Sequence, residues 1–524
     1  MGSKRIGLIA LGIAPWLSFK CVGAEQQLIT SECLAEHYQV VRNDVFDPDA
    51  EGYTWLHHWA NRLHITTQEV AVNNSLGAFL PCPDDADDLY EIERHLRSKP
   101  YLRDAQVSKA EQGKPIKIET WDTWSLLPTI DFSRKGGENA AAMGIKDSNF
   151  LGLGIHTELL YFSDYLRSGY LIDLYAPLYL GKNLQAGLTL ADTDDGEKIA
   201  VSLVRPFVSH NSQHGFGVYF NKESRNDTIR QAGKQSNQFH QRLESAQLWY
   251  GQPWVHWPNQ VLRWQVGLSH DQHRFAPTQT TRLPDDRQRT YPWAQLRFQQ
   301  DRYEKRRNLF LINAAEDINL GWDLAVKAGW DLSGDGGWVT QLHSHRGWAI
   351  SPKHLWLSRY WLQAEQQQER GDYLWMQWRN ELFYQLSQPV RLYAKIDWRH
   401  SINSYLDRPN TLGGTTGLRG YPLQYQHGDT ILLASAEARY YPNINLWQLL
   451  EAGAALFYDI GEARGGSPYP DNPTGTLQSV GIGLRFYASH AGSNNVIHLD
   501  FARPISDDEQ VNQWEWRVEV KQHF

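Results

Sequence analysis

Hydrophobic and polar positions alternate along several segments of this chain. From Trp514 to the end, Trp514, Trp516, Val518, Val520 and Phe524 fall on one face, and Glu515, Arg517, Glu519, Lys521 and His523 on the other. Successive side chains of a strand point to opposite faces, so the pattern predicts a strand with one apolar and one ionic face. Trp322 to Leu332 repeats it, with Trp322, Leu324, Val326, Ala328, Trp330 and Leu332 set against Asp323, Lys327 and Asp331. In Arg391 to Arg399, Leu392, Ala394, Ile396 and Trp398 alternate with Arg391, Lys395, Asp397 and Arg399. Tyr170, Ile172 and Leu174 face away from Asp173, and Ile497, Leu499 and Phe501 away from His498 and Asp500. A soluble sandwich alternates as well. It does not usually put so many Lys, Arg, Asp and Glu opposite a Trp-rich face, whereas a membrane barrel does, with lipid outside and water inside. The pattern therefore predicts an all-β transmembrane barrel over residues 128–524. At roughly 25 residues per strand and loop, it would have about 16 antiparallel strands, an even number. Phe524, as the last residue, fits a final strand that closes against the first.

Residues 25–122 read differently, as a small α+β domain. Tyr38 to Phe46 suits a strand, and Asp49 to Leu63 carries Leu56, Trp59, Ala60 and Leu63 at helical spacing. Thr66-Thr67-Gln68-Glu69 has the form of a helix start. Asp84 to Ser98 opens with acids, sets Leu89, Ile92 and Leu96 on one face and closes on basic residues before Pro100. Two short strands follow, Ala105 to Lys109 and Ile116 to Trp121, joined at Gln112-Gly113. The order is strand, helices, strand, strand.

Composition agrees with a barrel. Mean hydropathy is −0.55, too low for a bundle of membrane helices. Yet the chain of 524 residues holds 22 Trp, 25 Tyr and 18 Phe, and Trp and Tyr favour membrane–water interfaces. Residues 1–24 form a signal-peptide pattern: Lys4 and Arg5, an apolar run from Ile6 to Phe19, then Val22-Gly23-Ala24. A single anchoring helix is the alternative, but the apolar run is short for a span. Cleavage would leave Cys33 and Cys82, either bonded, as suits an exported chain, or two buried thiols. A bond closing that loop of about 49 residues would restrict the unfolded chain by roughly 4 kcal/mol. Cleavage would also shift the net charge from −8 to −11, which argues against nucleic acid as a partner.

Candidate chemistry is sparse. His343 and His345 share one face of a strand, but no third metal ligand stands at a useful spacing and Arg346 is adjacent. His57-His58 reads as helix surface, and Gly152-Leu153-Gly154 as a turn rather than a dinucleotide loop. There is no nucleophile elbow and no zinc-ligand cysteine set. The expectation is no enzyme, no metal and no cofactor.

Four motifs near the end change the picture: Gly417-Leu418-Arg419-Gly420-Tyr421-Pro422, the strand Ala434 to Tyr440 with Glu437 and Arg439, Phe457-Tyr458-Asp459-Ile460-Gly461, and Val480 to Phe486. With the closing strand they resemble the barrel of the BamA/TamA superfamily of outer-membrane assembly and translocation proteins, the bacterial surface antigen family. Leu418, Arg419, Gly420 and Tyr421 look like its loop motif, and Phe457, Asp459 and Gly461 like its wall motif. Upstream, Arg62 to Thr67, Glu93 to Arg97 and Tyr101 to Ala105 resemble pieces of a POTRA domain, the family's periplasmic module, and Asn149 to Gly154 an early barrel hairpin. There is room for one POTRA domain only. The resemblance implies that Arg419 meets Asp459 inside the lumen. By themselves the residues leave open that these are two unconnected lumen charges.

The resemblance further implies an outer-membrane location in a bacterium, with the POTRA-like domain in the periplasm. The function expected is insertion of outer-membrane proteins or translocation of a polypeptide, beginning at a seam between a first strand near Met143 to Phe162 and the last, Glu515 to Phe524. The partners would be the outer-membrane lipid bilayer, an unfolded client polypeptide, and a periplasmic or inner-membrane protein bound through the POTRA-like domain. Trp514, Trp516, Val518, Val520 and Phe524 would then also serve as a C-terminal strand signal. The alternative is a passive channel or structural barrel, which every alternation above fits equally.

Overall fold

The computed structural model describes residues 38–49, 53–77, 86–108, 115–181, 183–333, 336–367, 371–447, 450–491, 495–506 and 508–522. The signal-like segment 1–24, Cys33, Cys82 and Phe524 lie outside the described residues.

The N-terminal part folds as β1 (Tyr38–Asn43), α1 (Trp55–Leu63), α2 (Glu69–Leu76), α3 (Ala86–Arg97), β2 (Leu102–Ser108) and β3 (Ile116–Asp122). The sheet order is β1-β3-β2, with β1 parallel and β2 antiparallel to β3. Val72, Leu76, Ile92, Leu96, Leu102, Ala105 and Ile118 form its core, so the apolar stripe of α3 faces the sheet. The buried face of α1 differs from the one its apolar spacing suggests. His57 and Ala60 are buried while Trp59 and Leu63 are exposed. His57 Nδ1 accepts a hydrogen bond from Thr54 N (2.9 Å), and its ring packs on Phe46, so this histidine is part of the helix start rather than its surface.

The rest is an antiparallel barrel of twenty strands among the described residues, from Leu126–Lys135 to Glu515–Gln522, each next to its neighbour in sequence. The count of about 16 is therefore too low. Its cause is turn length: Gly136-Gly137 and Ala232-Gly233, all at positive φ, close hairpins in two residues, as do Pro258-Asn259 and Pro352-Lys353. Such turns leave about 20 residues per strand and connection rather than 25. Among the described residues, no helix is long and apolar enough to cross a membrane.

Alternation sets the two faces. Trp322, Leu324, Val326, Trp330 and Leu332 are exposed on the outside, while Lys327 and Asp331 of the same segment are buried toward the lumen. Because strands run alternately up and down, successive turns fall at opposite ends. The end beside the small domain holds the connections 151–154, 206–214 and 301–322. The far end holds 136–137, 232–233, 403–429 and 505–514. Aromatic pairs mark both rims: Trp330 with Trp338 near the far end, and Trp348 stacked on Trp356 near the other.

The first strand is Leu126–Lys135. Met143 to Phe162, expected at the seam, belong to the second and third strands, Glu138–Phe150 and Ile155–Ser163. Pro128 and Asp131 interrupt the apolar text of the first strand, although Leu126, Ile130 and Phe132 are exposed on the barrel exterior. A proline is tolerated in a strand whose edge is weakly paired.

Two insertions enter the lumen. From the far end, residues 411–427 fold inward, held at the base by Thr411 paired with His427 and Leu412 with Gln426. From the small-domain end, the hairpin Tyr303–Arg307 and Ala315–Asn319 sends in its tip, 308–314. Leu309 packs against Leu355, Leu357 and Phe383, and Leu311 and Ile312 against Tyr441, Tyr487 and Val496.

Candidate functional site in the lumen and at the seam

Two glycines shape the inward loop. Gly417 (φ 105°) and Gly420 (φ 89°) adopt backbone that favours glycine, and a Cβ on Gly420 would lie 2.9 Å from the Pro504 ring. Leu418 and Tyr421 are fully buried with Leu412, Tyr425, Ile431 and Leu433, an apolar anchor that holds the turn against the wall. Tyr421 Oη donates to the backbone oxygen of Gln478 (3.1 Å).

Arg419 is thereby aimed at the opposite strands. Its Nε and Nη2 each donate to Asp459 at 2.7 Å, a bidentate pair, and Nη1 donates to Glu437 at 2.9 Å. Asp500 lies 3.6 Å from Nη1, and the guanidinium sits 3.5 Å over the Phe457 ring. Burial works against this charge, but Asp459, Glu437 and Asp500 outweigh it and hold the group above its ordinary pKa. Gly461, the last residue of the wall motif, faces the loop base: a Cβ there would meet Leu412 Cδ2 at 3.1 Å and the Leu432 oxygen at 2.9 Å. The three motif positions on this strand thus stack under, bind and make room for the loop.

The network extends beyond the motif residues. Arg439 donates to Glu437 (2.8 Å) and to the Leu309 oxygen (2.8 Å), so it ties the inward loop's partner to the tip of the opposite hairpin. Arg485 donates to Asp500 at 2.6 Å. Between the two insertions remains a polar cavity of about 230 Å³, bordered by Phe310, Lys395, Arg419, Glu437 and Arg517. His343 and His345, also on the inner face, are not among the residues that converge on a common point in the described structure.

The closing strand carries the second half of the site. Trp514 (61% exposed) and Trp516 point outward, while Glu515 and Arg517 are buried inside. Glu515 accepts from Gly420 N (2.8 Å) and Gly137 N (3.0 Å), and Arg517 donates to the Gly414 oxygen (2.7 Å). Among the described residues, Val518 is the single residue of the last strand in register with the first, opposite Arg134. Around it, Phe132 stacks on Trp516 and Lys135 meets Glu519 at 2.8 Å. By contrast, the last strand shares a continuous register with its other neighbour from Asn495↔Gln522 to Ala502↔Glu515. At the small-domain end the entering chain turns aside: Trp124 N donates to the His490 oxygen (2.8 Å), across the connection that precedes the last two strands.

Comparison with known proteins gives only fold-level likeness. No protein-family model and no curated protein matches the sequence. Among solved structures, the chain is similar to BamA from Haemophilus ducreyi lacking POTRA domains 1–3, at 13% identity and a TM-score of 0.42, covering 87% of this chain and 82% of that one. It is also similar to CdiB from Escherichia coli, at 11% identity and 0.45, covering 85% and 73%. CdiB from Acinetobacter baumannii gives 12% identity and 0.45, covering 87% and 71%.

Contacts between the small domain and the barrel had no signal in the sequence. Arg97 forks onto Asp317 of the inserted hairpin (2.9 and 3.0 Å), Tyr90 donates to the same carboxylate (3.0 Å), and Arg94 lies 3.9 Å over the Tyr303 ring. On another side, Asn149 of the second strand donates to Thr67 Oγ1 (2.8 Å), whose hydroxyl donates to the fully buried Asp122 (2.9 Å). These partners are separated by 82 and by 220 positions, beyond the reach of any periodicity.

Proposed function

We propose that this chain is an outer-membrane barrel of the BamA/TamA type that inserts outer-membrane proteins or translocates a polypeptide, with the small domain acting as a periplasmic POTRA-like module. The observation that carries this reading is the seam. Among the described residues, one register pair, Val518 with Arg134, joins the first and last strands, whereas Leu126–Lys135 pairs along its whole length with the second strand. A strand edge with unmade ladder bonds is a template for another chain. Here it faces lipid on one side and the lumen on the other. The parting runs toward the small-domain end, where an arriving chain would enter. The edge of β2 offers a second place for strand addition within the small domain. Loop 411–427 and hairpin tip 308–314, which pack on the inner wall from opposite ends, weigh against a passive channel.

The test is to lock the seam. Arg134→Cys with Val518→Cys places two thiols at the paired positions, within reach of a disulfide. In cells depleted of the native protein, the oxidised variant should fail to maintain outer-membrane or secreted proteins, and reductant should restore them. Normal proteomes with a fully formed crosslink would defeat the seam mechanism. Depletion that changes no outer-membrane or secreted protein would defeat the assignment itself.

A further inference from the structure

Where the small domain meets the barrel, three side chains from distant segments converge. Glu91 comes from α3, His210 from the connection 206–214, and Asp301 from the residue just after the strand Arg287–Gln300. One nitrogen and two carboxylate oxygens lie within 4.8 Å of one another. His210 Nδ1 is 3.0 Å from Glu91 Oε2 and 3.6 Å from Asp301 Oδ2. Ligands bound at about 2.1 Å to one ion, roughly 90–110° apart, are separated by about 3.0–3.5 Å.

The orientation of these atoms adds a second argument. Glu91 is 6% exposed, and its Oε2 faces His210 Nδ1 at 3.0 Å, neither atom having any other hydrogen-bond partner among the described residues. The other carboxylate oxygen, Oε1, is held from behind by His210 N (3.3 Å) and by Arg94 (3.7 Å). The His210 backbone is fixed through its carbonyl by Arg263 (3.2 Å), and the Asp301 amide donates to the Asn259 oxygen (2.8 Å). This is the outer support that ligating groups need to keep their geometry. His256 lies beside the His210 ring but is turned to Asn211 (3.1 Å). Two carboxylates around one imidazole favour a positive charge there. A proton on His210 and a metal ion compete for that place.

We propose that Glu91, His210 and Asp301 form a binding site for a first-row divalent cation, of the zinc type, that clamps α3 of the small domain onto the barrel. The mixed nitrogen and oxygen set suits such an ion better than calcium or magnesium, which favour oxygen alone. Three protein ligands leave a fourth position for water.

The full-length folded protein, purified without a histidine tag and stripped with a chelator, tests the site by Zn²⁺ titration in a calorimeter and by metal analysis after desalting. The expected result is one equivalent of Zn²⁺, with affinity at least tenfold lower in His210→Ala and in Glu91→Gln. Glu91→Gln keeps the shape of the side chain, and heat-modified migration in detergent gels confirms that each barrel is folded. Equal binding in the wild type and in folded Glu91→Gln would show adventitious histidine binding elsewhere and overturn the proposal. So would the absence of a stoichiometric site in the wild type, which leaves a proton as the cation at the centre.

Discussion

The carboxylate of Glu515 accepts a hydrogen bond from the backbone of Gly420 at 2.8 Å, joining the closing strand to the turn of the inward loop. Its other oxygen takes the Gly137 amide from the hairpin that follows the first strand. One side chain thus connects the loop with both sides of the seam. Glu515→Ala leaves the buried Gly420 amide without its partner, at a cost of about 1–3 kcal/mol, while the exposed Gly137 amide turns to water. The expected outcome is a lower unfolding midpoint and freer movement of loop 411–427, read as faster proteolysis or cysteine labelling at the loop. Unchanged labelling would separate loop position from the seam.

Removing one partner of the Arg419–Asp459 pair strands a buried charge. Arg419→Ala or Asp459→Ala is expected to destabilise the loop-bound state by about 3–5 kcal/mol. Planar bilayer recordings should show low conductance in the native barrel, and higher or flickering conductance in either variant and on deletion of 411–427. Arg419→Lys keeps the charge but loses the fork onto Asp459, so it should fall between the two. A single variant that neither folds poorly nor conducts more would show that the pair does not hold the loop.

The hairpin tip at the opposite mouth is expected to respond to pH. Burial raises the Glu316 carboxyl from its ordinary value to about 7, against the Leu309, Phe310 and Leu311 amides that favour the ionised form. A carboxyl whose folded pKa exceeds its unfolded one contributes stability below the unfolded value, and this is lost as pH rises through the folded value. The hairpin should therefore loosen between about pH 4.5 and pH 7, by at most about 3 kcal/mol. Amide exchange at Leu309 and Phe310 reads the change directly, and Glu316→Gln should flatten the profile in that window.

Asp317 is the shared acceptor of Arg97 and Tyr90 at the junction. Asp317→Asn weakens both contacts and should broaden the distribution of distances between α3 and the barrel, measured by paired spin labels. The barrel itself should keep its unfolding midpoint, because the contact is between units. A midpoint shift equal to that of Arg419→Ala would contradict this separation.

The lumen site was legible only in part. Arg419 and Asp459 stand 40 positions apart, and it was the resemblance of two short motifs, not spacing, that connected them. Asp500 and Glu515 looked like any other inner-face charge, since alternation tells which face a residue occupies but not which residue across the lumen it meets. The hairpin at 303–319 hid for a similar reason. Its strands are short, and its tip residues Leu311 and Ile312 gain their meaning from Tyr441, Tyr487 and Val496, more than a hundred positions away. Glu91, His210 and Asp301 were invisible, each an unremarked polar residue of its own segment.

By itself the sequence determined what depends on neighbours along the chain. Each strand's two faces follow from alternation, the turn at Gly136-Gly137 from glycines that tolerate positive φ, and the stripe of α3 from helical spacing. The tertiary structure decided what depends on closure. The first strand at Leu126 and, among the described residues, a single register pair at the seam, Val518 with Arg134, follow from how a tilted sheet meets itself. That meeting is a condition on the whole barrel, and no local stretch of residues encodes it.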